Sequence, residues 1–275
     1  MNDSDLVGSS PARLRLATLD RMAELLRVFV PDRPAWRLNE LAEALEWDKA
    51  TTLRFLGKLV ELGFLEREED TYRLGRLLGE LGALYLGASP GRQRLVRAIE
   101  RAHARTGLTT QVGVLDGAEL VIVLSEEGTT LVKVAASLGA RLPLHASAIG
   151  KAILAQVDDA TFAALVPEHP AVLTPHTIGR RSDLRAEVDA ARARGLTHAA
   201  SELADGLEAY AVPIPASIFG APAALGCAGP TAAVQAARDD VQAALLEAAD
   251  DLAPWDRRAT FAPDTHHEGR SDAAR

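Results

Sequence analysis

Residues 39–63 read NELAEALEWDKATTLRFLGKLVELG, two amphipathic segments that meet across about three residues. Asn39 is a candidate N-cap for the first, with Glu40 and Glu43 near its positive end and Leu41, Ala42 and Leu45 facing inward. That segment stops near Trp47. Asp48 is the N-cap candidate of the second, Lys49 to Leu62, in which Leu53, Leu56, Leu59 and Val60 share one face and Lys49, Thr52 and Lys58 lie largely off it. Gly63 ends it as a C′ residue. Two helices joined by a short turn, the second opening on Lys49, Ala50, Thr51 and Thr52, form the helix-turn-helix pattern. Such a second helix enters a major groove about 12 Å wide, and bulky apolar side chains in its first turn would hold it away from the base edges.

The flanks extend the pattern. Upstream, Leu16, Leu19, Met22, Ala23, Leu26 and Val30 predict an amphipathic helix over 14–30, ended by Pro31 and Pro34. Downstream, Phe64 to Arg67 and Thr71 to Leu74 alternate as a small hairpin, or wing, around Glu68, Glu69 and Asp70. An acidic tip cannot press on phosphates, so Arg67 and Arg73 on the stems are expected to face the DNA backbone. The first 88 residues hold slightly more acidic than basic residues, so a DNA-binding surface has to come from arrangement rather than bulk charge. The plainer alternative is a small helical domain whose Lys and Arg are merely solvated. Leu74, Leu78, Leu81 and Tyr85 follow at spacings of four, three and four, a short heptad seam that can pair two chains or pack on its own domain. Ala88 to Gly91 mark a boundary.

Beyond it, the spacing predicts a helix over 92–106 ended by Gly107, and strands over 109–115 and 120–124 around an Asp116-Gly117 turn. Leu131 to Ala136 reads as a further strand, and 147–155 and 158–166 as helices. A helix capped by Ser182 runs to Arg194 and stops at Gly195. Strands over 197–201, 208–212 and 223–227 and a long closing helix from Thr231 to Leu252 complete an antiparallel sheet flanked by helices, an α+β sensor-like domain.

Composition sets the limits. The chain has 275 residues, 48% hydrophobic and 25% charged, with net charge −8, which suits two ordinary globular domains and disfavours non-specific coating of nucleic acid. One cysteine, Cys227, closes no intrachain disulfide and supports no Cys-based zinc site, which suits a reducing cytoplasm. Met1 to Ser10 lacks a basic segment of the export-signal kind. Ala209 to Pro230 is uncharged and long enough to span a bilayer, but its four prolines and three glycines punctuate two buried strands instead, so no membrane role is expected. No Gly-rich phosphate loop, metal-ligand cluster or nucleophile elbow is visible. Neither a catalytic residue, nor a metal, nor a cofactor is expected. His145 and Ser147, two residues apart with no acid partner, make a weak hydrolase signal.

Four motifs in order resemble the IclR family of bacterial transcription regulators from about Leu16 to Leu252: KATTLRFLGKLVELGFLE (49–66), YRLGRLLGELG (72–82), RLPLHASAIGKAILA (141–155), and GLEAYAVPI (206–214) followed by ALGCAGP (224–230). The resemblance implies a winged helix-turn-helix over 13–75, a linker helix over 76–90, and a GAF-like effector-binding domain over 91–253. Residues 254–275 are left as a disordered tail. It also implies a homodimer or tetramer on palindromic double-stranded DNA operators, controlled by a small-molecule effector. DNA contacts are then expected at Asn39, Lys49, Ala50, Thr51, Thr52, Arg54, Lys58, Arg67 and Arg73, with dimerisation through Leu74, Leu78, Leu81 and Tyr85.

Effector contacts are expected at Ser147, Ala148, Ile149, Glu202, Leu207, Ala209 and Cys227. A helix N-terminus near Ser147 would suit the carboxylate of an organic or aromatic acid. Each of these also has a plain reading: Ser147 as a cap, Cys227 as a small strand residue, Glu202 or Asp205 as loop solvation. Relatives that carry a cysteine at the position of Ala209 and a smaller residue at Ile149 imply a pocket with different walls and a different ligand. Rival readings are a small-molecule enzyme with an accessory helical domain and a protein-interaction module.

Overall fold

The structure, a computed structural model, describes residues 17–30, 33–87, 90–129 and 136–252. The chain divides into two compact units between Ala83 and Leu84. The expected strand at 131–136, the first residues of the helix expected from Leu14, and the expected tail at 254–275 lie outside the described residues, Ala136 excepted, which is in no strand.

The first unit contains α1 (Ala17–Arg27), β1 (Ala35–Arg37), α2 (Leu38–Ala44), α3 (Lys49–Glu61), β2 (Leu65–Glu68) and β3 (Thr71–Leu74). Leu25, Phe29, Trp36, Leu41, Leu56, Leu59, Leu65 and Tyr72 form its core. The wing is a three-stranded antiparallel sheet in the order β1-β3-β2, with Trp36 opposite Tyr72 and Arg67 opposite Tyr72 on the other side. Strand β1 was not foreseen, because three residues after a proline carry no alternation to read. Its presence also corrects the cap of α2. Pairing with β3 holds Arg37 extended, so the helix begins at Leu38, Arg37 is the N-cap, and Asn39 is an exposed residue of the first turn. The Arg37 N–H donates to Glu40 Oε2 at 2.8 Å.

The cap of α3 is as expected: the Asp48 carboxylate accepts the Thr51 N–H at 2.8 Å. Gly63 follows the helix with φ +78°, a conformation that glycine adopts without steric cost. The buried face of α3 differs, however. Thr52, Leu56 and Leu59 are its buried residues and Leu53 is 49% exposed. Thr52 is fully buried because its hydroxyl donates to the Asp48 carbonyl at 3.0 Å, which leaves its methyl group free to pack.

Helix α4 (Arg76–Gly87) runs across the division between the units. Leu74 ends β3 and therefore stands outside the helical seam in which it was expected.

In the second unit a six-stranded antiparallel sheet has the order β6-β5-β4-β9-β8-β7. Its strands are β4 (Thr109–Asp116), β5 (Glu119–Glu126), β6 (Arg141–Pro143), β7 (Thr197–Ala200), β8 (Leu207–Ile214) and β9 (Ala223–Pro230). Alternation sorts the side chains into two cores. Val112, Tyr210, Val212, Leu225 and Cys227 pack with α5 (Pro90–Thr106) and α10 (Arg238–Leu252). Leu120, Ile122, Ala199, Ala211 and Ala224 pack with α6 (Ala148–Leu154), α7 (Asp159–Leu165) and α8 (Arg181–Arg194). The uncharged stretch from Ala209 to Pro230 forms most of β8 and all of β9 around a 3-10 turn at Ala216–Ile218. Among the described residues no helix is long and apolar enough to cross a membrane.

Two expected helices change. The N-cap of α8 is Arg180, and Ser182 lies inside the first turn with its hydroxyl donating to Asp183. The closing helix is broken at Ala237 into α9 (Thr231–Ala236) and α10.

A candidate DNA-reading helix and a candidate effector cavity

The exposed stripe of α3 contains Lys49, Ala50, Leu53, Arg54, Gly57 and Lys58, with Thr51 half-buried beside it. Asp48 caps the start of this helix and its buried face shares a core with Leu41 and Leu45 of the α2 region, which leaves the stripe turned outward. Lys49 and Arg54 have no hydrogen-bond or ion-pair partner among the described residues, whereas Lys58 Nζ lies 2.6 Å from Glu61 Oε1. Thr52 was expected among the DNA contacts and cannot reach a groove, since burial and its own backbone bond occupy it. Leu53 takes the outward position and was missed. The signal was present: Thr52, Leu56 and Leu59 stand at spacings of four and three, once a threonine that satisfies its own hydroxyl is counted as apolar.

The wing neutralises its own acidic tip. Arg37 pairs with Asp70 at 2.9 Å and Arg73 with Glu68 at 3.2 Å, while Arg67 Nε donates to the Glu69 carbonyl at 2.9 Å. Arg67 and Arg73 are thus engaged within the wing rather than standing clear of it. The two ion pairs are exposed, and exposed pairs contribute only about 0–1 kcal/mol, little enough for a phosphate to replace the partner.

Along α4, Leu81 and Leu84 are exposed and Leu78 partly so; Leu84, at 68%, was not read from the sequence. Tyr85 is exposed at its edge but held within the second unit. The Arg92 guanidinium stacks 3.8 Å from its ring centroid and donates to its carbonyl at 2.7 Å.

The second unit holds a partly open cavity of about 270 Å³ between the first turn of α6, the loop after β7 and the strands beneath. Ser147, Ala148, Ile149, Glu202, Leu207 and Ala209 line it, so the structure brings six of the seven expected effector residues together. Gln111, Ala136, Leu142, Ala146, Ala199, Leu203, Ala204 and Ala228 complete the wall. Cys227 does not line it. Ala209 pairs with Ala228 across β8 and β9, and Cys227 pairs with Tyr210, so the thiol points to the opposite face, among α5 and α10. Burial pushes that thiol up to about 11.

Ile149 seats the first turn of α6 on the sheet, where a Cβ at Gly113 or Gly226 would lie 2.6 or 2.8 Å from its side chain. The Ser147 hydroxyl accepts the Gly150 N–H at 3.1 Å and donates to the Pro143 carbonyl at 3.1 Å. His145 hydrogen-bonds the Ala171 carbonyl at 2.8 Å, so no base stands on Ser147. Behind the wall Glu202 is paired deep in the fold: Lys151 Nζ lies 2.6 Å from Glu202 Oε1, and Lys151 is 1% exposed.

Comparison with known proteins covers both units. The chain matches the family described as bacterial transcriptional regulator IclR C-terminal over residues 85–253, and the IclR helix-turn-helix domain over residues 18–69. It is 29% identical to the HTH-type transcriptional regulator XynR of Escherichia coli over 72% of this chain and 80% of that protein. A crystal structure of a Rhodococcus transcriptional regulator superposes with a TM-score of 0.71 at 29% identity, covering 86% of this chain and 96% of that one. A crystal structure of an IclR homolog from Microbacterium hydrocarbonoxydans, complexed with 4-hydroxybenzoate, superposes with a TM-score of 0.73 at 26% identity, covering 86% and 98%. A winged reading head and a cavity-bearing sheet domain in series, matched along most of their length by named regulators, make this chain a DNA-binding transcriptional regulator rather than an enzyme, and it belongs to the IclR family.

Proposed function

We propose that the protein is an effector-controlled regulator whose affinity for a palindromic operator is set by a small organic acid, aromatic in the first instance, bound in the cavity of the second unit. The observation that carries this reading is the cavity itself, closed mainly by apolar side chains with a few polar groups converging on it. The 4-hydroxybenzoate complex of the Microbacterium hydrocarbonoxydans homolog supports the ligand class. The effector contacts are Ser147, Ala148, Ile149, Glu202, Leu207 and Ala209.

On the DNA side, Lys49 is assigned to phosphate, and Ala50, Thr51, Leu53 and Arg54 to the groove floor, where an apolar side chain can meet a thymine methyl. Asn39, Lys58, Arg67 and Arg73 are assigned to phosphates flanking the groove. Leu78, Leu81 and Leu84 would pair two chains. The half-sites of a dimer lie about 34–36 Å apart, so an effector that shifts one head against the other spoils the fit. A hundredfold change in affinity needs about 2.8 kcal/mol of coupling, within reach of one ligand.

A gel-shift titration with DNA from upstream of the protein's own gene tests the reading. Specific, salt-sensitive retention is expected, and Lys49→Ala should reduce the slope of log affinity against log salt by about one. Retention no better than that of random competitor at low salt would refute the operator assignment.

A further inference from the structure

Alternation along β7 and β8 turns Ala199 and Ala209 toward the effector cavity and their neighbours His198 and Tyr210 the opposite way, into an open groove of about 490 Å³ lined from α8, β7, β8 and α10. The two rings stack with centroids 4.4 Å apart. His198 Nε2 lies 2.9 Å from Oε1 of Glu208, which is 1% exposed and accepts a second bond from Gln235 at 3.2 Å. An ionised carboxylate only accepts, so Nε2 carries the hydrogen and, in the neutral ring, Nδ1 offers a lone pair. Nδ1, the Gln242 amide and the hydroxyl of Tyr210, a residue 5% exposed, have no hydrogen-bond partner among the described residues. They are not sealed either, since the unpartnered atoms shut off from solvent are Glu202 Oε2 and the Thr231 hydroxyl. Glu187 and Arg194 line the same groove and meet only at 3.5 Å, with side chains 33% and 54% exposed, so each keeps unused hydrogen-bonding capacity.

We propose that this groove is a second small-molecule site, for a zwitterionic α-amino acid with an apolar side chain. The ligand carboxylate takes the Arg194 guanidinium, its ammonium group donates to Glu187 and to His198 Nδ1, and its side chain lies on Leu196 and Leu246, the latter 40% exposed. A plain carboxylic acid would bring its negative charge beside Glu187 with nothing for Nδ1 to accept, and a plain amine would bring a cation beside Arg194. A ligand bearing both charges matches a groove that carries one of each. The site does not depend on the effector reading, because it lies on the other face of the sheet from that cavity.

The test follows the ring nitrogen resonances of the seven histidines in the full chain at fixed pH, with His198 assigned by the signal that His198→Gln removes. The probes are L-phenylalanine against 3-phenylpropanoate and phenethylamine, and L-leucine against 4-methylpentanoate and 3-methylbutylamine. At least one amino acid should shift the His198 signal saturably and bind about tenfold or more tightly than both of its singly charged analogues. Arg194→Gln should weaken that amino acid by about tenfold. Because the readout is local to His198, an acid that enters the cavity on the other face does not mimic the result. A His198 signal unmoved by either amino acid overturns the site and leaves the effector reading standing. Equal affinity for an amino acid and one of its analogues overturns the zwitterion assignment, and undiminished affinity in Arg194→Gln overturns the role of Arg194. If that variant does not fold, the comparison of analogues on the wild-type chain decides the matter alone.

Discussion

Thr52 and Leu53 sit side by side in the reading helix and should respond to mutation in opposite ways. Thr52→Val keeps the buried methyl group and removes the bond to the Asp48 carbonyl, so it should cost about 1 kcal/mol in denaturant unfolding and leave the preference among operator sequences unchanged. Leu53→Ala should leave stability nearly intact and change preference at one base position, read by competition gel shift. Asp48 gives a pH signature. Hydrogen bonds from the Thr51 side chain and backbone hold its carboxyl below the usual aspartate value of 3.8. A native value below the unfolded one means that the cap stabilises fully above that range and is lost as pH falls through the native value. Asp48→Asn should therefore show a shallower decline in Tm between about pH 5 and 3 than the wild type. Asp48 and Gly63 were legible in the sequence because capping chemistry is local. Cys227 was not, because which face a strand residue takes depends on a register fixed by its partner, here Tyr210. Cys227→Ala should leave ligand affinity unchanged.

Helix α6 shows how an element positions the cavity. Its seven residues are all buried, and Gly150 lets it approach so closely that a Cβ there would collide with the Leu144 backbone. Gly150→Ala should thus cost about 1–3 kcal/mol or more and weaken ligand binding, as the first turn is pushed off the sheet. Denaturant unfolding and calorimetric titration check the two effects. The helices and strands with clear periodicity, α3, α5, β4 and β5, were readable within a residue or two at their ends. Strands β1 and β6, of three residues each, exist only through their partners β3 and β5 and left no pattern to read. The break at Ala237 was hidden for a related reason. An alanine-rich run is compatible with one helix, and only the packing of α9 and α10 on the sheet divides it.

The order of the two units was readable because each carries its own punctuation and motifs, while the cavity was readable only as a set of residues near α6 and β8. Most of its remaining wall, Gln111, Ala199, Leu203 and Ala228 among it, comes from strands and a loop that converge only when the sheet is assembled. The proposed control connects that cavity to the helix beginning at Lys49, and such a connection is an affinity difference between free and liganded protein. Fluorescence anisotropy of the full chain on the DNA upstream of its gene, with and without a saturating amount of an aromatic or other organic acid found by calorimetric titration to bind the protein, measures this difference. The account predicts a change in operator affinity of about tenfold or more on adding the ligand. Identical affinities with the ligand bound and absent would contradict it.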